Sequence, residues 1–411
     1  MRAIRIPRLF HNRDYLLLWA GQTVSATGTS VSDLAFPLLV LALTHSAAAA
    51  GAVAALRALP ALLFMLPGGA LVDRWDRRRT MLFCDAGRAL SLAAIVLAFA
   101  LGRLTLALVC LVAFVEGSLG VVFGLAETAC LPHVVPAEQL AAAVAQSEVT
   151  EGAVALVGPS LGGLLFAAGR ALPFLCDAAS YAASLAGLLA MRVRLQGERT
   201  AVHEPLHREV REAVVWLWRQ PLLRGMTMLN LGGALASPAM PLIVIVLAQR
   251  QHAGAGAIGL IFAAEGAGMI LGALLGIWSE RRLRVGQAVL LCRGAGLLLW
   301  LLLAVAPNAF ALGVIAFAFG LIDPIEDVPY FSERHRLIPD EIEGRVLAVC
   351  RLAPSLTRPP GLLLVGVLLQ RLGAVSTVLI AAAWLAALLA VVGLSPALRQ
   401  APNPAAVRDA V

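Results

Sequence analysis

PGGALVDRWDRRRTM, residues 67–81, is the stretch whose reading decides the fold. It sets Arg74, Arg77, Arg78 and Arg79 around Asp73 and Asp76, between two long apolar runs. That is the pattern of a short loop held at one face of a bilayer. Working outward at about 20 apolar residues per crossing gives twelve spans, at approximately 15–43, 48–72, 80–100, 104–126, 142–168, 173–193, 223–248, 256–278, 286–306, 309–331, 346–369 and 375–395. The predicted fold is an all-α membrane protein, twelve transmembrane helices in two pseudo-symmetric six-helix bundles. Residues 1–193 form the N-terminal bundle, 194–222 a cytoplasmic linker, and 223–411 the C-terminal bundle with a short cytoplasmic tail.

Composition points the same way. Hydrophobic residues make up 60% and charged residues 14%, with a mean hydropathy of +0.85, which excludes an ordinary soluble domain. All 32 basic residues are Arg. With a cytoplasmic N-terminus, 23 of them collect on the cytoplasmic side and 4 (Arg103, Arg170, Arg250, Arg371) on the other, with 5 inside spans (Arg57, Arg88, Arg293, Arg351, Arg358). The net charge of +7 is therefore a signature of topology rather than of nucleic-acid binding, because it sits in loops that face anionic headgroups. The apolar run after residue 14 is too long for a signal-peptide core and reads as a retained first span in a bacterial cytoplasmic (inner) membrane. Six scattered cysteines give neither a disulfide frame nor a zinc site, so no metal and no cofactor are expected.

The chain repeats itself. Gly69, Asp73 and Arg74 correspond to Gly276, Glu280 and Arg281 at an offset of 207, and HVVPAE (133–138) resembles RLIPDE (336–341) at 203. Pro159 matches Pro359 at 200, and Arg88 matches Arg293 at 205. Parallel six-span repeats of this kind place a substrate site near the midplane between the halves, reached by alternating access. Between them, Glu204 to Trp218 reads as an amphipathic helix on the inner leaflet.

Gly69, Asp73, Arg74, Arg77, Arg78 and Arg79 resemble motif A of the major facilitator superfamily, GxxxDRxGRRR, with Asp76 where that pattern has its second Gly. Independently of any family, a carboxylate at the end of span 2 can face the positive N-terminal end of another helix. Asp73 is expected to meet span 11 in this way, and Glu280 span 5, as paired latches. For Arg77 to Arg79, anchoring by charge alone explains the sequence equally well. Gly158, Pro159, Gly162 and Gly163 resemble the GPxxGG of motif C, which in that superfamily marks antiporter-type exporters; close helix packing is the other explanation. LWAGQTVS, the RALP of Arg57 to Pro60, DAGRAL and LCDAASYAAS are similar to the branch that contains bacterial enterobactin exporters and macrolide efflux proteins. Members of that branch often carry an acid directly after the glycine corresponding to Gly28; here Thr29 stands there and the acid is Asp33.

Charges within the bilayer must line water or find partners. Asp33, Arg57, Glu116, Glu148, Glu151, Glu265, Asp323, Glu326, Arg351 and Arg358 are the candidates. Asp33, Arg57, Glu116, Glu265, Asp323 and Arg358 are singled out for proton coupling or the substrate cavity, with Asp33 or Glu116 as the coupling acid. Asp85 and Arg88, three apart on span 3, are expected to pair with each other, with Arg293 in the equivalent position; Asp177 reads as a packing acid. Trp19, Phe36, Phe114, Phe123, Phe262, Phe317 and Phe319 are candidates for an apolar cavity wall or for ordinary packing. The resemblance implies a secondary transporter, not an enzyme: a monomer that exports amphipathic, drug- or siderophore-like small molecules in exchange for protons. An importer, a lipid translocator and a membrane sensor or scaffold remain open as alternatives.

The arginine distribution carries a direct test of orientation. Reporter fusions after Arg79 and after Leu195 should behave as cytoplasmic and one after Arg103 as external, and the reverse pattern would overturn the topology.

Overall fold

The computed structural model describes residues 8–193, 206–339 and 342–393, and the long elements among them are all α-helices. In chain order they are α1 (Arg13–Thr44), α2 (Ala47–Arg74), α3 (Arg77–Ala100), α4 (Leu106–Val134), α5 (Ala137–Ala168), α6 (Leu172–Ala190), α7 (Leu206–Arg219), α8 (Pro221–Gly233), α9 (Met240–Arg250), α10 (Ala255–Arg282), α11 (Val285–Val305), α12 (Ala309–Leu337) and α13 (Glu343–Gly393). They fall into two compact units. One holds α1, α2 from Leu56 onward, and α3 to α6; the other holds residues 46–55 and α7 to α13.

Eleven helical stretches are long and apolar enough to cross a membrane, and the last, Arg345–Gly393, has the length of two crossings. Its 49 residues would run about 70 Å as a straight helix, against ~30 Å of hydrocarbon. Gly373 breaks it, at a φ of 81° that an L side chain seldom adopts. The seventh crossing, expected as one helix over 223–248, is divided instead. α8 stops at Gly232 and Gly233, a 3-10 turn covers Ser237–Ala239, and α9 resumes at Met240. Paired glycines destabilise the helix there and Pro238 brings no N–H to continue it. Several helices also outrun their predicted cytoplasmic ends: α4 reaches Val134 and α12 reaches Leu337, because polar residues close to the bilayer surface still continue a helix. Of the amphipathic linker helix, Leu206–Arg219 is formed as α7, with Ala213 and Leu217 buried; residues 204 and 205 lie outside the described residues.

The helices are amphipathic in the sense opposite to that of a water-soluble bundle. On α3, Phe83, Leu90 and Leu97 are spaced by seven and exposed, whereas Cys84, Asp85, Arg88 and Leu92 are buried. Such a surface suits hydrocarbon, and the charges it surrounds require partners from neighbouring helices. Side-chain caps close the loops. Asp76 accepts a hydrogen bond from the Arg79 amide at 2.8 Å and so caps α3 at the place where motif A has glycine. Asn12 accepts from the Asp14 and Tyr15 amides and also donates to the Val134 carbonyl at 2.7 Å, tying the start of α1 to the end of α4.

In the first unit α5 lies directly on α1. A Cβ at Gly158 would collide with the Ser30 side chain, and one at Gly162 would stand 2.8 Å from the Val31 carbonyl oxygen. The GPxxGG stretch therefore sets the distance between these two helices. Gly162→Leu should push them apart and destabilise the unit by about 1–3 kcal/mol, as overpacking does; thermal unfolding of the detergent-purified variant, compared with wild type, measures this.

Candidate functional site

In the first unit five helices contribute to one chain of alternating charge. Glu116 on α4 is almost wholly buried and forms its centre. It accepts Arg57 Nε from α2 at 2.7 Å, Arg88 Nη2 from α3 at 2.8 Å and the Tyr181 hydroxyl from α6 at 2.7 Å. Arg88 lies 4.0 Å from the centre of the Tyr181 ring and also donates to Thr29 Oγ1 at 3.2 Å. From the other side of Arg57, Nη1 is paired with Asp33 on α1. Asp33 is the open end of the chain, its side chain 56% exposed against 2% for Glu116. Phe36 lies under the Arg57 guanidinium at 5.1 Å and meets Phe174 edge to face.

This arrangement corrects the expected pairing on α3. Arg88 turns to Glu116 rather than to Asp85, three residues away on its own helix. Gly120, one turn beyond Glu116, leaves room for the guanidinium against α4, its built Cβ lying 3.8 Å from Arg88 Cζ. Asp85 itself is fully buried. Asp177 is likewise buried on α6 and receives the Ser180 hydroxyl at 3.2 Å.

The second unit holds a partly open cavity of about 460 Å³. Glu265 from α10, Asp323 from α12 and Arg358 from α13, three residues singled out in the sequence, line it together with Arg293, Glu326 and Asp327. Arg293 on α11 is held by Glu326 and by Asn230 of α8, at 2.8 and 2.9 Å. The cavity also takes an apolar wall from Leu229, Met240, Leu297, Trp300 and Phe319, in which Trp300 and Phe319 meet edge to face.

Two of the motif A arginines act on helix ends. Arg77 donates to the Ala129 carbonyl at 2.9 Å near the end of α4, and Arg78 to the Leu188 and Leu189 carbonyls at 3.1 and 2.9 Å in the last turn of α6. At the end of α6 such a cation satisfies carbonyls that lack an intrahelical donor, and at both ends it favours the helix dipole. Arg74 is exposed at the end of α2, and Gly69 has open space where a Cβ would stand. The side chains of Asp73, Glu148, Glu280, Arg281 and Arg351 lie outside the described residues. Among the aromatic candidates, Trp19 donates to Thr150 on α5, Phe114 meets Phe64, and Phe123 belongs to a buried cluster. Sequence reasoning passed over Tyr181 as a functional group. Its signal lay in the quoted LCDAASYAAS stretch, where a tyrosine inside a span needs a partner for its hydroxyl.

Comparison with known proteins agrees with this architecture. The family described as transmembrane secretion effector matches residues 9–407. The multidrug efflux pump Tap of Mycobacterium tuberculosis is 27% identical over 378 residues, covering 89% of each chain. The enterobactin exporter EntS of Citrobacter koseri is 27% identical over 333 residues, covering 79% of this chain and 77% of its own. A bacterial homologue of the human lysosomal transporter Spinster shares the fold at a TM-score of 0.72 with 14% identity, over 96% of this chain and 98% of its own. A bacterial homologue of the iron transporter ferroportin shares it at 0.69 with 16% identity, over 92% and 99%. With a family match over nearly its whole length, the chain belongs to the transmembrane secretion effectors of the major facilitator superfamily, multi-pass membrane transporters of the efflux branch rather than enzymes.

Proposed function

We propose that the protein is a proton-driven exporter of amphipathic small molecules that works by alternating access, with Asp33 as the coupling acid, Arg57 as its exchangeable partner and Glu116 as the fixed anchor of both. The observation that carries this reading is the division of Arg57 between two carboxylates of opposite character. Glu116 is buried and also receives Arg88 and Tyr181, so its charge is fully compensated. Asp33 is exposed and is paired in this cluster with Arg57, so a proton can reach it at the cost of one salt bridge. Protonation cancels that bridge and leaves Arg57 held by Glu116 only. A change of one ion pair is the kind of local event that can bias a two-state transporter. Each proton entering down a potential of 100 mV supplies ~2.3 kcal/mol, enough for modest uphill export. The likeness to a multidrug efflux pump and an enterobactin exporter supports the outward direction, as does the GPxxGG contact between α5 and α1. The arginine distribution supports cytoplasmic placement of both termini.

Asp33→Asn should abolish proton-driven transport while leaving the fold intact. Drug uptake into inverted vesicles under an imposed pH gradient tests this, and undiminished uptake would remove Asp33 from the mechanism.

Glu116→Gln should act mainly on stability, because it leaves Arg57 and Arg88 without their common anion. Removing one partner of a buried ion pair costs about 3–5 kcal/mol. Its melting temperature in detergent should therefore fall well below that of Asp33→Asn. Equal melting temperatures for the two variants would refute the division between anchor and switch.

A further inference from the structure

α7 has three faces where a helix on the surface of a water-soluble protein has two. Its buried seam, Ala213 and Leu217, closes an apolar cluster with Leu223 of α8, Ile338 at the end of α12 and Val346 at the start of α13. At 3.6 residues per turn, the flank beside Leu217 carries Val214 and Trp218, then Arg211 and Val215; Arg219 and Glu212 complete the circle. Val214, Val215 and Trp218 are 38%, 43% and 54% exposed. A tryptophan and two valines gathered on one open flank are costly in water, so the flank calls for an apolar neighbour.

Connectivity says what that neighbour is. Gln220 alone separates α7 from the crossing that begins at Pro221. Arg224, in the first turn of that crossing, turns back and donates to the Trp218 carbonyl at 3.3 Å. Trp218 therefore stands at the boundary between headgroups and acyl chains, where indole rings collect. Charge completes the match. Between residues 206 and 224 four arginines stand against two glutamates. Arg211 lies within the apolar flank and Arg219 borders it, both exposed. A helix with an apolar flank and arginines along it suits the interface of an anionic leaflet.

We propose that α7 is a docking surface for anionic phospholipid, with Val214, Val215 and Trp218 entering the headgroup boundary while Arg211, Arg219 and Arg224 take the phosphates. The seam then passes this hold on to the transport helices. Ala213 and Leu217 belong to one cluster with Ile338 and Val346, and Glu212 pairs with Arg345 at 3.3 Å, so α7 is fastened to the end of α12 and to the start of α13. Lipid that fixes α7 also fixes these two helix ends. The proposal needs only that the chain spans a membrane and does not depend on the direction of transport or on the coupling ion.

Native mass spectrometry of the detergent-purified full-length protein, offered equimolar phosphatidylglycerol and phosphatidylcholine, measures the preference for the anionic lipid. Each arginine at the surface is expected to contribute about fivefold. The double variant Arg211→Gln, Arg219→Gln should therefore lose most of the phosphatidylglycerol preference, whereas Arg211→Lys, Arg219→Lys keeps the charge and should retain it. A preference unchanged in the Gln variant, or lost equally in the Lys variant, would overturn the proposal. A second measurement reads the apolar flank: in nanodiscs containing lipid brominated near the headgroup, tryptophan emission is quenched, and Trp218→Phe should remove part of the quenchable signal. If the quenched signal is the same in wild type and Trp218→Phe, the flank does not meet lipid and the proposal fails. If the protein instead runs as a dimer that Trp218→Arg dissociates, the flank belongs to a second copy of the chain and the lipid assignment falls.

Discussion

Two arginines on one buried carboxylate organise the first unit. Glu116 draws Arg57 from α2 and Arg88 from α3 to α4, and Tyr181 brings α6 to the same point. A membrane interior gives packed helices no hydrophobic drive toward one another, so a polar focus of this kind has unusual leverage on which faces meet. The wider architecture accommodates it. α3 turns Phe83, Leu90 and Leu97 outward so that Arg88 can turn inward, and α5 approaches α1 across glycines while Thr29 of α1 faces Arg88 and Tyr181.

The second unit shows what remains when the focus is taken away. Arg293 keeps the place of Arg88 and finds Glu326 and Asn230, while Arg358 lines the same cavity from α13. A cavity persists there instead of a closed network. Duplication supplied two copies of one helix arrangement, and a few side-chain exchanges made one copy a compensated electrostatic core and the other an acidic chamber. Fold and chemistry have separated within a single chain, which is the general rule that sites are grafted onto folds.

The crossings were legible in the sequence because a span is written as one uninterrupted apolar run. The pairing within the bundle was not. Asp85 and Arg88 are neighbours on a helix, and a local rule joins them; the stronger partner, Glu116, is 28 residues from Arg88, and its reach depends on how α3 and α4 are rotated about their axes. Likewise Glu265, Asp323 and Arg358 could be marked as costly in a bilayer, but their common cavity requires three helices to converge. The break in the seventh crossing had a sequence signal, Gly232 and Gly233 followed by Pro238, that apolarity outweighed. Asp76 looked like a departure from its motif because a glycine pattern concerns conformational freedom, whereas an N-cap supplies a hydrogen-bond acceptor.

That broken crossing has a mechanical meaning. A continuous helix resists bending along its whole length, whereas two short rods joined by a 3-10 turn yield at the joint. Here the joint is fastened from one side: Thr357 donates to the Leu231 carbonyl at 2.7 Å and Trp384 to the Gly232 carbonyl at 2.9 Å, both from α13. The compliance of the second unit is therefore concentrated beside Ser237 and Pro238, at the rim of the acidic cavity. Bending at this joint would load these two hydrogen bonds first, which puts the strain of any such movement on α13.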